Sequence, residues 1–126
     1  MIDLSKNVVY LAAPKRLYQS HLFANAYAYL MPKTAALLDP RGMYKSNAEW
    51  LANYETRLSI ADTMVIVSDD LMVGKGVYTE YNYFWRRNCK VYHLLQYTNV
   101  YQLVAVKRIK VIDDDDWSNY ATIQYR

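Results

Sequence analysis

Between residues 61 and 95 the chain gathers side chains that could do chemistry together. Asp69 and Asp70 close an apolar segment at residues 63–67, Gly74, Lys75 and Gly76 punctuate a loop, and Glu80 follows. Glu80 is the first candidate. In the first turn of a helix beginning near Gly76 it would feel the partial positive charge of the helix N-terminus, which favours the ionised carboxylate. An ionised carboxylate suits a nucleophile better than a general acid. The same residue would also stabilise the helix end with no chemistry at all. Asp69 and Asp70 are placed to orient Glu80 or to bind a sugar hydroxyl, and equally to cap or turn the chain. Lys75 could meet a phosphate, since a short loop and a helix N-terminus form an anion site. The loop nevertheless has neither P-loop nor dinucleotide-binding spacing. Tyr10 could hydrogen-bond a ligand or a carboxylate, or simply fill core.

The elements that must position these groups follow from periodicity. Residues 7–13 form a continuous apolar run that Pro14 ends, which reads as a buried first strand. Residues 15–30 show helical spacing, with Leu17, His21, Ala24 and Ala28 on one stripe. Residues 34–38 read as a second strand, and Asp39, Pro40, Arg41 and Gly42 as a turn. Ser46 and Glu49 have the spacing of a capping box, so a helix is expected from Asn47, burying Trp50, Leu51, Tyr54, Leu58 and Ala61. Residues 63–67 are the third strand, 77–88 a helix and 91–95 the next strand. Residues 101–106, 109–112 and 120–125 are strand-like, with four aspartates at 113–116 forming an acidic turn.

Short connections and β-α alternation predict an α/β layered sheet with right-handed crossovers. Strands apolar throughout fit a sheet covered on both faces. Ligands in such sheets bind outside the carboxyl ends of the strands. The sequence has no repeat or linker, and at 126 residues one domain, 1–126, is expected.

Composition narrows the classes. A 53% apolar fraction supports a core, but no apolar run is long enough for a membrane span. The N-terminal residues lead directly into a strand pattern without the features of a signal peptide, so a cytoplasmic location is expected. The single cysteine, Cys89, excludes an internal disulfide. His21 and His93 lack metal-ligand spacing, so neither metal nor cofactor is expected. A net charge of +3 is too small to imply nucleic acid, despite basic clusters at Arg86, Arg87, Lys90 and at Lys107, Arg108, Lys110. Fourteen tyrosines against three glycines suit half-buried surfaces, whether from compositional bias or for an interface or ring-stacking pocket.

Four motifs in order resemble the nucleoside 2-deoxyribosyltransferase-like family. Val9-Tyr10-Leu11-Ala12-Ala13-Pro14 resembles its first-strand motif and Leu38-Asp39-Pro40-Arg41 its aspartate-proline turn. Residues 61–67 look like its third strand, and Gly76-Val77-Tyr78-Thr79-Glu80 like its nucleophile segment. The resemblance covers about residues 7–95. It implies a three-layer α/β/α sandwich with a mostly parallel, Rossmann/flavodoxin-like sheet. It also implies cleavage or transfer at the N-glycosidic bond of a nucleoside or nucleotide. Glu80 would be the nucleophile, Tyr10 would position it, and Asp69 would orient the carboxylate or the sugar. Ala13, Asp70, Gly74, Lys75 and Gly76 would contact substrate, and a homo-oligomer, such as a dimer, would complete the site. The chain departs from the family pattern at Gly74, where an aspartate contacting the base is usual. It departs again at Val77, usually threonine, and at Ala13, often glycine. A non-catalytic nucleotide-binding or protein-interaction module on the same fold is the alternative. The tyrosine-rich, glycine-poor composition is also similar to that of small proteins of hyperthermophilic archaeal viruses, which would place the chain in the host cytoplasm.

Overall fold

A computed structural model describes residues 2–98, 100–112 and 120–125, so the expected acidic turn at 113–116 lies outside the described residues. The elements run β1 (Val8–Ala12), α1 (His21–Leu30), β2 (Ala36–Leu38), α2 (Asn47–Leu58), β3 (Thr63–Ile66), β4 (Met72–Val73), α3 (Lys75–Arg86), β5 (Lys90–Gln96), β6 (Tyr101–Val111) and β7 (Ala121–Tyr125). They build a seven-stranded sheet in the order β2-β1-β3-β5-β6-β7-β4. The first four strands pair in parallel, and β6, β7 and β4 extend the sheet antiparallel. The fold is an α/β sandwich whose sheet is parallel at its centre and mixed overall. Among the described residues no helix is long and apolar enough to cross a membrane.

Alternation along β1 and β3 divides the core. Val9, Leu11, Val65 and Val67 face α1, packing with Phe23, Ala26 and Leu30. Tyr10, Ala12, Met64 and Ile66 face the other way, packing with Leu58 of α2 and Val77, Tyr81 and Phe84 of α3. Strand side chains point alternately to opposite faces, so an unbroken apolar run here is the mark of a sheet covered twice. Each fully buried aliphatic or aromatic side chain contributes roughly 1.5–3 kcal/mol through removal from water.

Several boundaries differ from the expectation. The predicted helix at 15–30 is broken: Lys15–Leu17 is a 3₁₀ turn, and α1 begins only after Ser20. The Ser20 hydroxyl donates to the Leu17 carbonyl at 2.6 Å and accepts the Phe23 amide at 3.2 Å, so it ends one turn and caps the next. Ser46 caps α2 as expected, accepting the Glu49 amide at 3.1 Å. The Glu49 carboxylate reaches back one residue further than a capping box requires, to the Lys45 amide at 3.2 Å. Leu51, expected on the buried face of α2, is 66% exposed, because Trp50, Tyr54 and Leu58 at i, i+4 and i+8 already fill that face. The strand segments at 101–106 and 109–112 are one long strand, β6, with a register shift against β7 between Val106 and Arg108. Two-residue β4 carries no periodicity and was not expected. At Gly42 the chain turns with φ 74°, a left-handed conformation that glycine adopts without strain; Met43 closes it by donating to the Pro40 carbonyl at 3.2 Å.

Candidate functional site

Strand order reverses at β1, which has β2 on one side and β3 on the other. Crevices beyond the carboxyl ends of strands at such a reversal are the usual ligand sites of open α/β sheets. A cleft of about 1500 Å³ opens there on the α2/α3 side. Its walls are Ala13 and Pro14 just past β1, the turn at Lys15–Leu17, the loop from Pro40 to Tyr44, α2, and the start of α3. The volume exceeds what a drug-sized ligand needs. Tyr18, Tyr44, Trp50, Tyr54, Tyr78 and Tyr120 bring aromatic surface to it, and Lys15, Arg16, Lys75 and Arg86 bring positive charge.

Among the described residues Glu80 is the one carboxylate on the lining, and it is 5% exposed. Helical geometry sets it beside Phe84, four residues on, on the face of α3 turned to the sheet. The Phe84 ring stacks on Tyr10 with centroids 6.0 Å apart and 5° between planes. That stack aims the Tyr10 hydroxyl at the carboxylate, to which it donates at 3.0 Å (Oε1) and 2.9 Å (Oε2). From α2, the Trp50 indole N–H donates to Oε2 at 3.0 Å. Trp50 is itself held by stacking on Tyr54, four residues on, at 5.2 Å.

Glu80 lies in the second turn of α3, which starts at Lys75, so the expected first-turn charge effect has largely decayed by its position. Burial dominates instead and raises its pKa to about 7, against the lowering pull of the Trp50 and Tyr10 hydrogen bonds. The expectation of a carboxylate kept fully ionised is therefore corrected: near neutrality Glu80 is poised between its two forms. Burial, and then the Glu80 charge, hold the Tyr10 hydroxyl well above its ordinary range, so it stays a donor. Burial, and then Glu80, push Tyr44 up to about 12. The Tyr44 hydroxyl is buried without a hydrogen-bond partner among the described residues.

Tyr10, Ala13, Gly74, Lys75, Gly76 and Glu80 are brought together on this cleft. Beyond its own helix, a Cβ placed on Gly76 would meet none of the described residues within 4 Å, so open space stands beside it. Asp69 and Asp70 are not brought to it. They line a separate depression of about 410 Å³, with Ser68, His93 and Tyr97. The expected role of Asp69 in orienting Glu80 is corrected on this geometry. Arg16 donates to both Asp69 oxygens at 2.8 Å and, through that bond first, holds the carboxyl below its ordinary range. Asp70 takes the Met72 amide at 2.7 Å and so shapes the turn into β4. The orienting group that the sequence did not reveal is Trp50. His93 is buried, its Nδ1 paired with the Tyr125 hydroxyl, and burial lowers its pKa.

Compared with protein-family models, curated proteins and solved structures, the chain matches none.

Proposed function

We propose that the chain cleaves the N-glycosidic bond of a nucleoside or nucleotide, transferring the sugar to water or to a second base, with Glu80 as nucleophile. The carrying observation is the buried Glu80 carboxylate held by Tyr10 and Trp50 on an aromatic, cationic cleft. Aromatic faces suit a planar base, and the cations Lys15 and Lys75 suit an anionic group. The order of motifs resembling the 2-deoxyribosyltransferase-like family agrees with this reading.

In the first step a Glu80 oxygen forms a bond to the anomeric carbon as the carbon–nitrogen bond breaks. The electron pair of that bond leaves with the base, which takes a proton from solvent. Water, or a second base, then displaces the carboxylate from the sugar, and a proton is lost to solvent. Both steps pass an oxocarbenium-like centre that an adjacent carboxylate stabilises. Desolvation raises the reactivity of the ionised form and also reduces its population. With a pKa of about 7, the ionised share grows through neutrality, so kcat/KM rises with pH across that range.

The test is chromatographic detection of free base from a panel of nucleosides and 5′-nucleotides, with Glu80→Gln alongside. Release by the wild type, lost in the variant and rising through about pH 7, supports the reading; no release from any substrate removes it. A second reading, nucleotide binding without turnover, is favoured by the same burial, because near pH 7 about half of Glu80 is neutral. It predicts thermal stabilisation by nucleotides with no base released.

A further inference from the structure

Trp50 stands thirty residues before Glu80 and reaches it only because α2 and α3 pack side by side on one face of the sheet. Its indole N–H is a donor and nothing else: it cannot accept, and it does not ionise in the working range. The two oxygens of Glu80 are therefore not equivalent. Among the described residues Oε2 accepts from Trp50 at 3.0 Å and from Tyr10 at 2.9 Å, while Oε1 accepts from Tyr10 alone, at 3.0 Å. Tyr10 has one proton to share between both. Oε2 therefore takes the whole Trp50 proton and a share of the Tyr10 proton, while Oε1 takes a share of the Tyr10 proton only and is the less engaged oxygen.

We propose that Trp50 is a positioning residue that commits Oε2 of Glu80 and leaves Oε1 as the oxygen that bonds to carbon or takes a proton. The reaction named here rests on the glycosidic reading of the cleft; the asymmetry of the carboxylate does not. Trp50 is suited to the task because it is stiff and uncharged. It stacks on Tyr54 at 23° between planes, and Tyr54 meets Tyr83 edge-on at 6.1 Å, so the indole is braced by a row of rings. A lysine or arginine in its place would hold the carboxylate by charge, drive it wholly into the ionised form and offer a competing ion pair. A neutral donor fixes orientation while leaving the titration near neutrality.

Two measurements decide it. In the unaltered protein, the Trp50 indole ¹H–¹⁵N resonance is followed against pH beside the ¹³C carboxyl resonance of Glu80. Both are expected to move with one midpoint. In Trp50→Phe, which keeps an aromatic ring against Tyr54, the Glu80 midpoint is expected to rise by about one pH unit, the size of one lost hydrogen bond to a charged group. Base release is expected to fall about tenfold in kcat, with KM little changed. An unchanged Glu80 midpoint in Trp50→Phe, or an indole resonance indifferent to the Glu80 titration, overturns the proposal. Should the variant not fold, the titration of the unaltered protein decides alone. A protein that shows both titration effects but releases no base loses the glycosidic reading and keeps the one-sided hold on Glu80.

Discussion

Replacing Glu80 by glutamine removes one titrating group from the protein interior while keeping its shape. The glutamine oxygen can still accept from Trp50, and its amide can donate to the Tyr10 oxygen. What disappears is the energy of charging a buried acid. Glu80 titrates at an ordinary 4.5 when exposed and at about 7 in the fold. The folded state therefore binds more protons than the unfolded state between those two values. A raised carboxyl pKa gives stability that is fully present below about pH 4.5 and is lost as pH rises through about 7. The loss amounts to about 3 kcal/mol for a difference of this size. The measurement is urea unfolding of wild type and Glu80→Gln at intervals from pH 4 to pH 8. Other titrating groups contribute equally to both proteins and drop out of the difference. The two are expected to be closest in stability at the acid end. The variant should gain on the wild type through neutrality, reaching about 3 kcal/mol in relative terms above pH 7. A difference that stays flat with pH would refute the burial argument, and with it the claim that Glu80 is poised near neutrality.

Three further outcomes follow from the same geometry. Asp69→Asn breaks an ion pair whose two side chains are nearly half exposed, so unfolding free energy should change by less than about 1 kcal/mol and base release should persist; abolished release would return Asp69 to the site. Gly76→Ala adds a methyl that, beyond its own helix, touches none of the described residues within 4 Å, and improves helix propensity. Thermal unfolding should show a gain of up to about 1 kcal/mol, while nucleotide binding weakens if ligand occupies that space. Tyr44→Phe deletes a buried hydroxyl that has no hydrogen-bond partner among the described residues, so denaturant titration should show no loss and as much as about 1 kcal/mol gained. A loss of more than that would mean the hydroxyl is paired in solution.

The sheet's central strands could be read from the sequence because burial on both faces leaves no charged residue in 8–12 and 63–66. The capping serine of α2 was legible for a local reason too, since a hydroxyl and an amide three residues apart must meet. The proximity of Tyr10 to Glu80 came from the order of motifs, and the structure supplies its physical cause in the ring stack on Phe84. Trp50 had no such signal. It reaches Glu80 through the packing of two helices, a distance relation that no local periodicity encodes. Asp69 misled for the converse reason. It is close to Glu80 in sequence, yet the chain turns away after Val67, and Arg16 from the turn beyond β1 captures it. The ionisation of Glu80 was also misjudged, because a local helix dipole was weighed without the burial that only the finished fold creates. The break in the helix at Ser20 was hidden because the apolar spacing continues across it.

The segment leading into α3 has a distant anchor. Among the described residues strand β4 pairs only with β7, Met72 opposite Thr122 and Val73 opposite Ala121. The Val73 carbonyl also accepts the Tyr120 amide at 3.0 Å. The entry to the helix that carries Glu80 is thus fastened by residues some fifty positions later in the chain. Contacts of that separation close large loops and form late, since their entropic cost comes before their reward. During synthesis β1, α1, β2, α2 and β3 can meet while β7 has yet to be made. The cleft wall beside Gly74 and Gly76 is then among the last parts to set, and a nascent chain acquires its core before it acquires a finished site.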